Sequence, residues 1–336
     1  MFRVVCLACD FGGSSVKYAL VNQNAEMRET GKCPPPLGSL EEFLDCVYDL
    51  YTKYAIGIDG VALSLPGVID VARGLHLGSG AYGSILKNRN IVQLVSARCG
   101  TRVSIENDGK CGALAELWDG ALAGVQDGAV LILGTDVGGG VITKGSVQRG
   151  ANFTAGEFSY SITGPAACGP LSQAWMNVGV IGMIYKACKL KNIDLSVQDA
   201  GNMLVKYDAL LKDYFPLFEA PPKKIKVNGE QIFQWLSEGD QDVRTIYDQF
   251  LHALAVLINN IQLCYAPEKV VIGGGLSRAD RLLPDLQAEL ENIYRACLIP
   301  AEARSHLFCS KQLEECNLLR ATYNLLKIYG GKGYVS

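Results

Sequence analysis

The chain has 336 residues, enough for two domains at roughly 150 residues each. Lys plus Arg is 31 and Asp plus Glu is 34, a net charge near −3, which excludes a polyanion binder that works through bulk positive charge. Apolar residues at 49% and charged residues at 19% can bury a large core, and no apolar run approaches the roughly 20 residues of a membrane span. No nucleic-acid and no membrane partner is therefore expected. Met1 to Cys6 runs straight into a strand pattern without a small-residue cleavage site, so a cytoplasmic address is expected.

In chain order, Phe2 to Cys9 reads as a strand and Val16 to Val21 as a second, after a Gly-Gly break. Pro34-Pro35-Pro36 interrupts the chain, and Ser39-x-x-Glu42 offers a capping box for a helix with Leu40, Phe43, Leu44, Val47, Leu50, Tyr51 and Tyr54 at helical spacing. Gly60 to Leu65 is a strand ending at Pro66-Gly67. Ile91 to Ala97 is helical, Thr101 to Ile105 extended, Lys110 to Leu122 helical and Gly128 to Leu133 a strand. Leu171 to Leu190 is predicted as one helix, residues 191–229 as irregular, and Asp242 to Leu263 as a strong amphipathic helix. Lys269 to Ile272 is a strand closed by Gly273-Gly274-Gly275. Leu282 to Cys297 and Cys316 to Ile328 are helices.

The Asp-x-Gly-Gly signature occurs twice, at Asp10-Phe11-Gly12-Gly13 and Asp136-Val137-Gly138-Gly139. Each follows an apolar strand and precedes another, which predicts a duplicated fold with a cleft between its halves. Twelve cysteines are scattered, and His76, His252 and His306 lie far apart, so no zinc spacing is present. Cys6-x-x-Cys9 falls inside a predicted strand and reads as buried thiols.

Three glycine turns are candidate phosphate or nucleotide contacts. In the first, Gly12 and Gly13 allow close backbone approach, Ser14 adds a hydroxyl, Lys17 adds a positive charge, and Asp10 at a strand end suits Mg2+ held through water. The same residues also fit an ordinary tight hairpin. The second turn contains Thr135, Gly138 and Gly139, and the third contains Gly274 and Gly275. GxGxxG is not intact at the second turn, and GxxxxGK[ST] occurs nowhere in the chain. Glu106-Asn107-Asp108 lies between a strand and a helix. It serves either as a helix cap or as a carboxylate that takes a proton from a substrate hydroxyl, which is what phosphoryl transfer asks of a side chain. Gly67 marks a sharp turn able to present backbone to a polyol, and Glu157 is a second acceptor for hydroxyls.

These residues, in this order, resemble the ROK family of bacterial sugar kinases and sugar-responsive regulators, within the actin-like ATPase superfamily. The matching segments are 10–17, 65–70, 106–116, 134–140, 149–157 and 270–275. The resemblance implies an α/β fold with two actin-like ATPase (ribonuclease H-like) domains flanking a nucleotide and sugar cleft. Residues 1–118 plus 316–336 would form the smaller domain and 119–315 the larger. It implies ATP and Mg2+ as cofactors and transfer of the γ-phosphate to a hexose hydroxyl, usually O6. It assigns Asp108 as general base, Asn107 and Glu157 as sugar contacts, and the glycine turns to ATP.

One departure bears on specificity. The family's His after that glutamate is Tyr160 here, and the cysteine-rich loop keeps only Cys168, so zinc is not expected. Gln173 stands near the family's second sugar-binding Glu. A Tyr and a Gln at these places alter contacts around C1 and C2 of the sugar, which opens the way to a β-glucoside or another substituted sugar. Tyr207, Tyr214, Phe215 and Phe218 form an aromatic concentration that is either local packing, a dimer surface or a sugar-stacking group. A homodimer is expected. The alternative function is a non-catalytic sugar-sensing relative. Asp10 within the first ten residues leads us to expect no DNA-binding module ahead of the fold.

Overall fold

The computed structural model describes residues 6–13, 15–55, 57–164, 169–199, 201–211, 215–216, 218–310 and 316–329. The chain divides into two compact units. The first comprises residues 1–124, 139–156 and 311–336, and the second 125–138 and 157–310.

In the first unit, β1 (Cys6–Phe11), β2 (Val16–Val21) and β3 (Met27–Cys33) form an antiparallel meander. After α1 (Leu40–Tyr54) the chain returns as β4 (Gly60–Leu65), parallel to β1. A small sheet of β5 (Val68–Asp70), β6 (Leu75–Gly78) and β7 (Arg89–Asn90) surrounds the short α2 (Gly83–Leu86) and leads into α3 (Ile91–Cys99). Then β8 (Arg102–Asn107) adds parallel to β4, giving the order β3-β2-β1-β4-β8, and α4 (Asp108–Asp119) follows without a gap.

The capping signal at α1 operates. Ser39 Oγ accepts from Glu42 N at 3.2 Å, while Glu42 Oε2 reaches back to Gly38 N at 3.1 Å. One sheet face packs Leu7, Cys9, Phe11, Leu63 and Ile105 against α1 and α3. The other face carries Cys6, Ala8, Ala19, Val21 and Ala62, and the last helix, α11 (Cys316–Tyr329), lays Leu318, Ala321 and Leu325 on it. Because strand side chains alternate, Cys6 and Cys9 belong to opposite faces. Both are fully buried, burial raises both thiols, Cys6 to about 12, and they cannot share a metal.

In the second unit, β9 (Gly128–Leu133), β12 (Lys269–Gly273) and β13 (Leu307–Cys309) are parallel, with β12 between the other two. From β9 the chain turns into β10 (Val137–Thr143), whose first two residues belong to this unit and the rest to the first; β10 pairs with β11 (Ser146–Val147). The helices are α5 (Ala174–Asn177), α6 (Val180–Lys191), α7 (Gly201–Leu211), α8 (Gly229–Ser237), α9 (Gln241–Tyr265) and α10 (Leu282–Ala296).

Three expectations are corrected. The single helix over Leu171 to Leu190 is two, broken at Gly179, where a Cβ would stand 2.5 Å from Trp175 O. The irregular stretch 191–229 contains the 11-residue α7, which the sequence does not announce because its polar and apolar residues are poorly separated around the helix. Residues 139–156 join the first unit rather than a continuous 119–315 domain, because this hairpin packs on α4: a Cβ at Gly140 would stand 2.7 Å from Ala113 Cβ, and Arg149 pairs with Glu106.

Candidate active site

The first unit gathers its polar residues at the carboxyl ends of three adjacent parallel strands. Asp10 near the end of β1 is level with Ser64 in β4, and Ser64 with Glu106 in β8. Two strand spacings, about 10 Å, separate the outer pair. Ligands of open α/β sheets gather outside such strand ends. Asp10 Oδ1 accepts from Ser64 Oγ at 2.7 Å and from Asn317 Nδ2 at 3.2 Å, and Lys17 lies opposite it in the β1–β2 ladder. Burial raises the Asp10 carboxyl above its usual 3.8, with the hydroxyl, the amide and the Lys17 charge opposing. A desolvated carboxylate of this kind gains from a nearby cation, so its chemistry fits hydrated Mg2+.

Behind it, the Gly12–Ser15 turn is held from inside: Gly12 N donates to Ser15 O at 3.0 Å, and Tyr82 Oη donates to Gly12 O at 3.2 Å. The Gly12 N–H is thus engaged within the turn. The Gly13 position leaves 3.6 Å to the nearest side chain, Ala81, open enough for close approach. Ser14 lies outside the described residues.

At the end of β8, Asn107 is the N-cap of α4. Its Oδ1 accepts from Lys110 N at 2.9 Å, and its Nδ2 donates to Gly67 O at 2.9 Å and to Asp108 Oδ1 at 3.2 Å. Asp108 Oδ1 also accepts from Gly109 N at 2.8 Å. The half-buried Asp108 carboxylate is thereby fixed at the helix start, where the dipole favours its charge. The helix-cap alternative for this triplet is therefore the arrangement present, with Asn107 as the cap.

Gly67 adopts φ +110°, and a Cβ there would stand 2.6 Å from Ser79 O and 2.8 Å from Gly78 O. Its turn is held by the fully buried His76, whose Nδ1 accepts from Gly78 N at 3.2 Å, so Nε2 carries the proton donated to Pro66 O at 3.0 Å. Burial lowers the His76 pKa below 6.5, keeping the ring neutral.

Sequence reasoning missed the pair beneath this edge. Glu106 is fully buried, its Oε1 accepts from Asn107 N at 3.0 Å, and its Oε2 pairs with Arg149. The signal was the Arg at the start of the 149–157 segment. Gly139 lies against the same helix start, since a Cβ on Gly109 would stand 2.5 Å from Gly139 N.

The second unit repeats the strand-end pattern with a different register. The turn after β9 is 134–136, and Gly138 and Gly139 are already in β10, so the two Asp-x-Gly-Gly copies are not equivalent: glycines in the turn in one, in the strand in the other. The carbonyls of Gly134 and Thr135 accept from Val180 N and Ile181 N at the start of α6, leaving Thr135 exposed. Crowding raises the Asp136 carboxyl to about 6, with Glu157 adding repulsion; its own side chain still reaches water. Beside this turn, at the end of β12, Gly274 has φ +88° and a Cβ there would stand 2.4 Å from Leu133 O, while the Cβ position of Gly275 is open.

Glu157 begins the short 3-10 turn Phe158–Tyr160 and is half-buried, while Tyr160 is exposed. Gln173 Oε1 accepts from Trp175 Nε1 at 2.8 Å. Cys168 and Tyr214 lie outside the described residues. Among the described residues no group of three or more His, Cys, Asp or Glu is placed to hold a metal. Tyr207 packs on Trp175 at 4.8 Å and Phe215 on Tyr185 at 5.4 Å, so these two rings serve local packing; Phe218 is exposed.

The ROK family model matches residues 6–173 and 201–305. The chain belongs to the ROK family, and its fold is the α/β actin-like ATPase fold. The N-acetyl-D-glucosamine kinase of Aliivibrio fischeri is 28% identical over 284 residues, 84% of this chain and 87% of that protein. The β-glucoside kinase of Listeria innocua is 26% identical over 322 residues, 95% and 97% of the two chains. A ROK family glucokinase from Streptomyces griseus, solved with glucose and AMPPNP, shares the fold with a TM-score of 0.69 at 20% identity, covering 94% of this chain and 97% of its own. No helix among the described residues is long and apolar enough to cross a membrane.

Proposed function

We propose that the protein is an ATP-dependent hexose kinase in which Asp108 is the general base. The observation that carries this reading is the Asp108 carboxylate, pinned through Oδ1 by Gly109 N–H and the Asn107 amide at the same strand-end edge as Asp10. With one oxygen fixed, the carboxylate keeps its orientation while it receives the proton of a sugar hydroxyl. Asn107 positions Asp108 and Gly67, and Gly67 presents backbone to the sugar. Asp10 holds Mg2+ through water, Lys17 and Gly13 face the phosphates, and Thr135, Gly138, Gly139, Gly274 and Gly275 take the rest of the nucleotide. ATP supplies the phosphoryl group and Mg2+ neutralises charge on it.

Glu157 is a further sugar contact. The exposed Tyr160 and the Trp175-bound Gln173 differ from a His and a Glu, so the C1–C2 end of the sugar meets larger and uncharged groups. This favours an N-acetylhexosamine or a β-glucoside over free glucose, as the names of the relatives at 28% and 26% identity also do. O6 is the acceptor.

Asp108→Asn is expected to lower transfer by about 10³-fold or more while sugar affinity stays within a few fold, read by coupled ADP release and calorimetry. Transfer at the parent rate removes the base assignment. The same assay over glucose, N-acetylhexosamines and β-glucosides identifies the sugar. Sugar binding without ADP release on any of them returns the non-catalytic reading.

A further inference from the structure

Cys33 closes β3, and Cys46 lies in the second turn of α1. Their Sγ atoms stand 3.9 Å apart, both side chains are half-buried, and both thiols are free. Between them run only Pro34-Pro35-Pro36, Leu37-Gly38 and the capped start of α1. Three prolines leave this connector few alternative conformations, so the two sulfurs are held near one another rather than meeting by chance.

The pair backs onto the Gly12–Ser15 turn. Cys33 is the ladder partner of Val16, the first residue of β2 after that turn. From α1, Phe43 packs on Phe11 at 4.8 Å and on Tyr82 at 6.1 Å, and Tyr82 donates to Gly12 O. A bond between the sulfurs requires them to close to about 2.05 Å, nearly 2 Å nearer than they stand. Such a movement of β3 against α1 is transmitted to Val16 and to Phe11, the two ends of the turn.

We propose that Cys33 and Cys46 form a reversible intrachain disulfide on exposure to a low-molecular-weight disulfide such as oxidised glutathione, and that this bond weakens ATP binding at the adjoining turn. The second half rests on the kinase reading above; the first does not. The Cys33 thiolate attacks one sulfur of oxidised glutathione, whose S–S bond breaks and releases one glutathione thiolate, which takes up a proton. The Cys46 thiolate then attacks Cys33 Sγ and releases the second glutathione. Two protein thiols are oxidised and one glutathione disulfide is reduced to two thiols. Burial holds the Cys46 thiol above its usual range even once Cys33 carries glutathione, so the second step accelerates about tenfold per pH unit through the neutral and mildly alkaline range.

The test treats the full chain with oxidised glutathione, blocks remaining thiols, and maps peptides without reduction. The expected result is a 33–46 crosslinked peptide two hydrogens lighter than the reduced pair, a rise of about fivefold in the ATP dissociation constant, and full reversal by dithiothreitol. Cys33→Ser and Cys46→Ser each abolish the crosslink and the change in affinity. Glutathione retained on Cys33, or pairing with the exposed Cys264, Cys297 or Cys309, overturns the site. A mapped 33–46 crosslink with unchanged ATP affinity overturns the coupling. Absence of ATP binding in both redox states, with the crosslink present, refutes the kinase reading and leaves the disulfide standing.

Discussion

Lys186 tests the physics of the second unit. It lies on α6 with 8% of its surface exposed, and its ammonium donates to Asn177 Oδ1 at 3.3 Å. Asn177 Nδ2 in turn donates to Leu171 O at 2.7 Å, so the lysine steadies the segment that precedes α5. Burial lowers the Lys186 pKa from 10.5 to about 8. Below pH 8 both folded and unfolded chains carry the proton, and the native state bears the whole desolvation cost. At about 1.4 kcal/mol per pH unit, that cost is about 3 kcal/mol. Between about 8 and 10.5 the unfolded chain holds more protons than the folded one, so stability rises with pH across that window. Lys186→Met removes the titration while retaining most of the volume. Urea unfolding of both proteins at pH 7 and pH 10 should show the parent gaining about 2–3 kcal/mol relative to the variant. A difference that stays constant within about 0.5 kcal/mol refutes the reasoning, because an ammonium with ready access to water has no such cost to shed.

Arg149→Met leaves the fully buried Glu106 carboxylate without its cation and should cost about 3–5 kcal/mol at pH 8. Exchange protection of the β8 amides against urea reads the loss, and Glu106→Gln with Arg149→Met should recover part of it. Gly67→Ala combines φ +110° with a Cβ 2.6 Å from Ser79 O, and should cost about 2–3 kcal/mol of stability. Because Gly67 O receives the Asn107 amide, the same variant should raise the sugar KM, while a parent-like melting temperature and KM would show that the turn relaxes freely.

Much of the fold was legible where local chemistry and burial agree. The Gly60–Leu65 and Gly128–Leu133 strands and the long helix now bounded at Gln241–Tyr265 follow from apolar runs and periodicity. The break at Gly179 was not legible, because the Gly134 and Thr135 carbonyls, distant in sequence, take the Val180 and Ile181 amides there and Thr135 O stands 2.8 Å from where a Gly179 Cβ would be. At the site, Asp10 and the 106–108 triplet were legible as strand-end polar residues. Their common level across β1, β4 and β8, with Ser64 bonded to Asp10, was not, since it depends on strand register. The Asp136 signature misled for a related reason: Asp10 stands six residues before the strand it introduces and Asp136 only one, so the same Asp-x-Gly-Gly pattern is shifted by five positions. His76 looked like an isolated residue, and only its two hydrogen bonds reveal it as the post behind Gly67.

The late arrival of α11 imposes a schedule on synthesis. Strands β1, β4 and β8 leave the ribosome roughly two hundred residues before the helix that covers them, an interval on the order of 10–40 s at ordinary elongation rates. During that time α4 already stands beside β4 and β8, while the small residues of one sheet face wait for α11. They are Cys6, Ala8, Ala19, Val21 and Ala62, small side chains with little apolar area to offer a passing chain. The bulky residues, Phe11, Phe43, Leu63 and Tyr82, are all on the side closed early by α1 and α3. The nascent sheet therefore waits with its least adhesive face outward, and α11 seals it by inserting Leu318 and Leu325 into the hollow that the small residues leave.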